Sequence, residues 1–85
     1  MQIGRSRRFD KQYKKLPKKI QQQFDTRFRM YLTNKHNPLL NVHPLSGKYR
    51  DHQNFNVNAD VRVVFLRDQN KLYLVAIGSH SELYG

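Results

Sequence analysis

The sequence contains no cysteine, and its 85 residues include only six acidic side chains against sixteen lysines and arginines. Without cysteine the chain has no disulfide, no thiolate nucleophile and no cysteine-based zinc site. No apolar run approaches the roughly 18 residues that a membrane span requires. A secretory signal has an apolar segment after its basic N-terminus, and this sequence has no such segment. The sequence therefore predicts one cytoplasmic domain, residues 1–85, that does not contact a membrane.

The shortage of acidic residues leaves a net charge of +10. Residues 1–36 hold eleven of the basic residues and only two acidic ones, a balance of +9, whereas residues 37–85 carry +1. A field of this kind attracts polyanions, of which nucleic acid is the commonest. A solubilising face, or a patch neutralised by an acidic protein, would give the same charge. The charge favours nucleic acid as the partner and does not indicate whether the protein catalyses a reaction.

An alternating pattern runs through residues 54–65, with apolar side chains at every second position. The apolar set is Phe55, Val57, Ala59, Val61, Val63 and Phe65, and the polar set is Asn54, Asn56, Asn58, Asp60 and Arg62. A period of two is typical of a strand with one face in a core. Asp60 and Arg62 are neighbours on the polar face, either as an exposed pair of little energetic weight or as parts of a site. A guanidinium suits phosphate because it donates two parallel hydrogen bonds.

The remaining elements follow from local signals. Ser6 is a candidate N-cap for a helix whose stripe is Phe9, Tyr13 and Leu16. Pro17 interrupts that helix and begins a second one, residues 17–33, with the stripe Ile20, Phe24, Phe28, Tyr31 and Leu32. We expect a possible edge strand at 2–5, a connecting loop at 39–48 and a strand from Tyr49 or Asp51 to Val57. After a tight turn at 58–59 come a strand at 61–67, a hairpin turn at 68–71, a doubly covered central strand at 72–77 and a short tail at 79–85.

This order of elements predicts an α+β fold, a small twisted antiparallel sheet packed against two N-terminal helices. The spacing of the four histidines fits no metal motif, so we expect neither a metal nor another cofactor. His36 fits a helix cap or a solvated residue, and His52 has no predicted partner. His43 and His80 lie just outside the predicted sheet, where loops gather functional groups. Each of these two, taken alone, still fits a surface residue better than a site.

Three segments carry more specific motifs. They are His-Pro-Leu-Ser-Gly at 43–47, the alternating strand at 54–65, and Ile-Gly-Ser-His-Ser-Glu-Leu-Tyr-Gly at 77–85. With the Leu-Pro pair between two helices, they resemble the toxins of the RelE/ParE superfamily, most closely its YafQ branch. The resemblance covers essentially the whole chain. It implies a type II toxin–antitoxin toxin, an endoribonuclease that inhibits translation by cleaving mRNA in the ribosomal A site.

The resemblance also implies partners and site residues. The partners would be a cognate antitoxin, the ribosome and mRNA, with operator DNA contacted only through the antitoxin. His43 matches the histidine of the His-Pro-Leu motif, Asp60 the aspartate ahead of the central strand, His80 the C-terminal histidine and Tyr84 the aromatic residue four positions later. Arg62 resembles the strand arginine of RelE.

Two positions depart from the family pattern. Asn56 replaces a second histidine, and Val61 replaces a tryptophan that often follows the aspartate. Asn56 cannot act as an acid or base, which leaves the proton transfers to fewer groups.

Cleavage of RNA by its own 2′-OH needs a base, an acid and positive charge at the phosphorus. An imidazole can take either proton role near neutral pH. We expect His80 to be the acid, Asp60 or His43 the base, with Asp60 orienting a histidine as a further option. Arg62 would stabilise charge and Tyr84 would stack on or position a base. The predicted RNA-binding residues are Lys14, Lys15, Lys18, Lys19, Lys48 and Arg50.

The sequence is compatible with two alternatives. One is a ParE-like toxin that acts on gyrase without cleaving RNA. The other is a basic RNA-binding module in which the histidines are incidental.

Overall fold

The computed structural model describes residues 1–84 and consists of one mixed sheet with helices on it. The elements are β1 Gln2–Arg5, α1 Arg7–Lys15, α2 Lys18–Thr33, β2 His43–Pro44, β3 Gln53–Asn56, β4 Val61–Arg67, β5 Lys71–Ser79 and α3 His80–Tyr84. A short 3₁₀ helix, Gly47–Tyr49, lies between β2 and β3. Within residues 1–84, no helix is both long enough and apolar enough to cross a membrane.

The sheet has the strand order β1-β5-β4-β3-β2. The pairs from β5 through β4 and β3 to β2 are antiparallel, whereas β1 runs parallel to β5. The predicted α+β fold, an antiparallel sheet against two N-terminal helices, is confirmed, and the parallel β1–β5 pair is the one departure from antiparallel pairing among the described strands. Hairpin signals after residue 50 fix the direction of β3, β4 and β5. They carry no information about a strand that joins from the other end of the chain.

The two helices begin and end as their local chemistry predicts. Ser6 caps α1, because its Oγ accepts a hydrogen bond of 2.9 Å from the backbone N–H of Phe9. Leu16 has the extended backbone, φ −72° and ψ 144°, that a following proline imposes. Pro17 then precedes the first residue of α2.

One face of the sheet and the two helices enclose an aromatic core. Phe55 is fully buried, and its ring centroid lies 5.7 Å from those of Tyr31 and Phe65 and 6.3 Å from that of Phe24. The other buried core residues are Phe9, Leu40, Val57, Val61, Val63, Leu72, Leu74 and Ile77. The period-two prediction is therefore confirmed for every apolar position of the 54–65 segment except one, Ala59. That residue is exposed because it lies in the turn before β4.

A second, smaller cluster covers part of the opposite face of the sheet. It consists of Tyr49, Val64, Ala76 and Leu83, with Leu45, Val75 and Tyr84 packed against it. This cluster covers only the C-terminal half of β5, while Tyr73 in the first half is 43% exposed. The predicted double coverage of the central strand is thus correct for its second half alone.

Three further expectations are corrected. His43 lies inside the sheet, on the two-residue edge strand β2, where a loop was predicted. β3 begins at Gln53, because Tyr49 is helical and Asp51 has a left-handed backbone with φ 73° that ends any extended run. Leu32, placed in the apolar stripe of α2, is 43% exposed, because its neighbour Tyr31 occupies the position that faces the core.

The side chains of Ser6, which caps α1, and of Gln12 within α1 complete the edge of β5 where β1 ends. The last β1 residue, Arg5, pairs with Leu74. Beyond it, Ser6 Oγ donates to the carbonyl of Val75 at 2.6 Å, and the backbone N–H of Ile77 donates to Gln12 Oε1 at 2.9 Å. The backbone groups of a central strand are thereby satisfied without a neighbouring strand.

Candidate functional site

A hollow of about 460 Å³ opens on the face of the sheet away from α2. Its lining residues are Asn41, His43, Leu45, Ser46, Asn54, Arg62, His80 and Tyr84. Four of the five residues predicted to be catalytic lie here, and Asp60 is the one that does not. A slightly larger hollow of about 500 Å³, lined by Lys35 and His36 among others, contains none of the five.

Strand pairing explains why residues far apart in sequence line one hollow. His43 on β2 pairs with Asn54 on β3, and Arg62 on β4 pairs with Gly78 on β5. His80 is the residue immediately after β5, two positions beyond Gly78. His43 and His80 are 37 positions apart, and Arg62 lies between them in sequence. The register of the strands brings all three together.

The imidazole of His43 is held in one tautomer. Its Nδ1–H donates to the carbonyl oxygen of Asn41 at 2.7 Å. Asn41 has φ 48°, a left-handed conformation that asparagine tolerates better than most residues. With the proton fixed on Nδ1, Nε2 remains as the proton acceptor of this half-buried side chain.

The position of His80 is fixed by its backbone and by a neighbouring ring. Its backbone N–H donates to the carbonyl oxygen of Asp60 at 3.1 Å. Its imidazole packs edge-on against the Tyr84 ring, one turn later on α3, with ring centroids 4.9 Å apart. The side chain itself is exposed and so accessible from solution.

A capping box begins α3 just before His80. Ser79 Oγ accepts from the backbone N–H of Glu82 at 3.2 Å, and Glu82 Oε1 accepts from the backbone N–H of Ser79 at 2.8 Å. The backbone hydrogen bond from Ser79 lowers the pKa of the Glu82 carboxyl below its usual value. Five residues are too few for a stable isolated helix, so this box and the buried side chain of Leu83 hold α3 in place.

Arg62 on β4 lines the hollow, and backbone carbonyls hold its guanidinium. Its Nη1 donates to the carbonyl oxygens of Asn58 and Ala59, at 2.9 and 3.0 Å. These bonds tether the side chain to the turn before β4 rather than to the carboxylate of Asp60. Asp60 is exposed in that turn and reaches the site through its main-chain carbonyl.

Comparison with known proteins identifies the family of the chain. The family model for "bacterial toxin of type II toxin-antitoxin system, YafQ" matches residues 1–85. The chain belongs to the YafQ family. No curated protein sequence matches the chain.

Solved structures of YafQ and related toxins share the fold. YafQ from E. coli strain BL21(DE3) superposes with a TM-score of 0.86 at 18% identity, over 98% of this chain and 97% of that one. The toxin from the E. coli DinJ-YafQ toxin-antitoxin complex gives 0.83 at 20% identity, over 98% and 96%. A YoeB/ParE toxin from Agrobacterium tumefaciens gives 0.77 at 14% identity, over 94% and 99%.

The two positions at which the resemblance implies a departure from the family pattern differ in their surroundings. Asn56, expected to replace a histidine, has a buried Oδ1 without a hydrogen-bond partner within residues 1–84. Its backbone N–H donates to the carbonyl oxygen of Leu40, and this hydrogen bond holds the end of β3 independently of the Asn56 side chain. Val61, in place of tryptophan, is a buried member of the aromatic core.

The basic residues predicted to bind RNA fall into two groups, and all six are exposed. Lys14, Lys15, Lys18 and Lys19 surround the corner between α1 and α2. Lys48 and Arg50 flank Tyr49, beside the hollow. The ammonium of Lys48 lies 5.3 Å from the centre of the Tyr49 ring, and the guanidinium of Arg8 lies 5.9 Å from it. Arg8 is therefore a further basic residue near the site. Sequence reasoning did not indicate this, because Arg8 belongs to α1, far from Tyr49 along the chain.

Two features of this YafQ-family site were missed by sequence reasoning. Ser79 and Glu82 spell the Ser-x-x-Glu signature of a capping box, so α3 could have been predicted where a tail was expected. Asn54, which lines the hollow, had no sequence signal beyond its polarity. Gly85, the last residue of the terminal motif, lies outside the described residues. Residues 1–84 contain no cluster of three His, Asp or Glu side chains able to hold a metal ion.

Proposed function

We propose that this chain is the toxin of a type II toxin–antitoxin pair and that its hollow cleaves mRNA bound to the ribosome in the cytoplasm. The observation that carries this proposal is the meeting of His43, Arg62, His80 and Tyr84 in one hollow of about 460 Å³. Two imidazoles and a guanidinium can supply the base, the acid and the positive charge that RNA cleavage by the substrate's own 2′-OH requires.

In the proposed reaction His43 is the base. Its Nε2 takes the proton of the 2′-OH, since Nδ1 already donates to the Asn41 carbonyl. The 2′ oxygen forms a bond to the adjacent phosphorus while the bond from phosphorus to the 5′ oxygen breaks. The imidazolium of His80 gives its proton to the departing 5′ oxygen. The products are a 2′,3′-cyclic phosphate and a 5′-OH, and water is not consumed.

Arg62 and Tyr84 complete the proposed site. The Arg62 guanidinium is tethered through Nη1, which leaves Nε and Nη2 for the charge that develops on the phosphate oxygens. The Tyr84 ring, packed against His80, would position a base or the phosphate. Asp60, the other candidate for the base, contributes through its backbone carbonyl, which accepts the hydrogen bond from the His80 backbone N–H.

The net charge of +10 favours negatively charged partners. The exposed lysines at the α1–α2 corner, together with Lys48 and Arg50 beside Tyr49, would contact ribosomal RNA and mRNA. An antitoxin, for which the E. coli DinJ-YafQ complex is the precedent, would be acidic where it meets these residues, and contact with operator DNA would pass through it. A short neighbouring gene whose product co-purifies with this chain would support the pairing.

The test is the variant His80→Ala, with cleavage of a defined mRNA on programmed ribosomes as the measurement. We expect turnover to fall at least about a hundredfold, because general acid catalysis contributes roughly 10²–10⁴-fold. His36→Ala is the matched control, since it removes an exposed imidazole that lines a different hollow. Unchanged turnover in His80→Ala would remove His80 from the mechanism. Salt-sensitive binding of RNA that stays intact would instead leave only a basic RNA-binding module.

A further inference from the structure

Asn54 is buried in the sheet at the base of the candidate site. It is 1% exposed and is the one polar side chain in the buried set of residues 1–84. On β3 it pairs with His43 on one side and with Val64 on the other. Its neighbours on this face include the apolar cluster of Tyr49, Val64, Ala76 and Leu83. An apolar side chain would pack here without the cost of burying an amide.

Within residues 1–84, the side-chain amide of Asn54 makes one hydrogen bond. Its Nδ2 donates to the hydroxyl oxygen of Tyr84, while its Oδ1 is buried without a partner in the described part of the chain. A buried amide that is only half satisfied is unfavourable for folding. Its single bond is directed at a residue of the site, which indicates a role beyond packing.

The direction of this bond determines what the tyrosine can do. A hydroxyl has one proton to donate, and its oxygen can accept. Because Asn54 occupies the oxygen as a donor, the Tyr84 proton is not used in this contact and is available to a ligand. The other groups that line the hollow near Tyr84 include His43, Arg62 and His80. The free proton therefore lies where a phosphate would bind.

We propose that Asn54 is a positioning residue which holds the Tyr84 hydroxyl oxygen, so that the O–H of Tyr84 donates to a non-bridging oxygen of the phosphate in the hollow. This inference deepens the proposed function and rests on it for the identity of the phosphate. The same hydrogen bond fixes the ring against which His80 packs, 4.9 Å away between centroids. Burial raises the pKa of Tyr84, which keeps the hydroxyl protonated at neutral pH.

The first test does not depend on ribonuclease activity. Tyrosine labelled with ¹³C at Cζ is titrated by NMR in the wild-type protein and in Asn54→Leu. The hydrogen bond from Asn54 favours the phenolate and acts against the effect of burial, so its loss should raise the pKa of Tyr84 further. Gln53→Leu is the control, because it removes a half-buried amide from the same strand outside this hollow. An unchanged or lowered Tyr84 pKa in Asn54→Leu would overturn the inference.

The second test is a double-mutant cycle with Tyr84→Phe. If Asn54 acts through the hydroxyl, each single variant should lower kcat about tenfold to a hundredfold, with KM changed less than about twofold. Asn54→Leu should then have no further effect in the Tyr84→Phe background. Additive losses would mean that Asn54 acts through the strand rather than the tyrosine, and the inference would be wrong.

Inorganic phosphate separates this inference from the proposed function. If the wild-type protein fails to cleave mRNA, the proposed function fails, and the same cycle is measured on the dissociation constant for phosphate. We then expect each single variant to weaken phosphate binding about tenfold and the double variant to match the singles. A Tyr84 resonance that does not respond to phosphate in the wild-type protein would refute the inference by itself.

Discussion

The capping box of Ser79 and Glu82 should control how firmly α3 is docked. Losing an N-cap serine costs about 1 kcal/mol, within a range of roughly 0.5–2. Burial of the Leu83 side chain, which is fully covered, contributes about 1.5–3 kcal/mol. α3 is therefore held by only a few kcal/mol, and the box supplies a substantial part of this stabilisation. Since His80 and Tyr84 lie on α3, undocking of this helix would separate them from His43 and Arg62.

The double variant Ser79→Ala/Glu82→Gln should destabilise the docked helix by about 1–2 kcal/mol, which multiplies the undocked population by about 5 to 30. Native-state hydrogen exchange measures this population directly. The amides of Leu83 and Tyr84 should exchange faster by that factor, while Val63 in β4 should be unaffected. Ser46→Ala is the matched control, because Ser46 precedes the 3₁₀ helix but its side chain makes no capping bond.

The same box should respond to acid with a defined sign. Because the folded pKa of Glu82 is lowered, its contribution is fully present above the usual value of about 4.5 and is lost as the pH falls through the lower folded value. Glu82→Gln and the wild-type protein should therefore differ in α3 exchange near pH 7 and converge in acid. Equal exchange of Leu83 in both proteins at pH 7, or parallel acceleration at Val63, would refute local docking by the box.

Two predictions concern the stability of the whole domain, measured by urea unfolding. Phe55→Ala should cost about 3–5 kcal/mol, because it empties the centre of the aromatic core. That is a large part of the free energy of unfolding, roughly 4–13 kcal/mol, expected for a domain of 85 residues. Leu32→Ala, at an exposed position, should change the free energy of unfolding by no more than about 0.5 kcal/mol. Gln12→Leu should cost about 1–3 kcal/mol by leaving the Ile77 N–H without an acceptor, and Gln12→Glu, which keeps an oxygen there, should be milder. Equal effects of the two Gln12 variants would contradict the proposed edge contact.

Local chemistry was enough to predict most of the fold. The period of two at 54–65, the cap at Ser6 and the break at Pro17 each depend on neighbours within a few residues, and all three are confirmed. What local signals could not provide was the direction of β1 and the two-residue strand β2. Both are set by pairing with residues distant in sequence, Leu72 in one case and Asn54 in the other.

The site was predictable only in part, for the same reason. Motif resemblance suggested His43, Arg62, His80 and Tyr84, and register then brings all four into one hollow. Their roles remain predictions. Asp60 was expected on the strand face beside Arg62, but the turn rotates it outward and leaves its carbonyl as the contact. The Asn54–Tyr84 bond joins residues 30 positions apart, and no spacing rule could have found it.

The hydrogen bonds from α1 to β5 also affect how the molecule behaves in concentrated solution. With Val75 and Ile77 already satisfied by Ser6 and Gln12, a second molecule cannot extend the sheet along this stretch. The outer strands offer little else for pairing, since β2 spans two residues and β1 four. Short edges and mutual repulsion at a net charge of +10 should together keep the free protein monomeric and resistant to fibril formation.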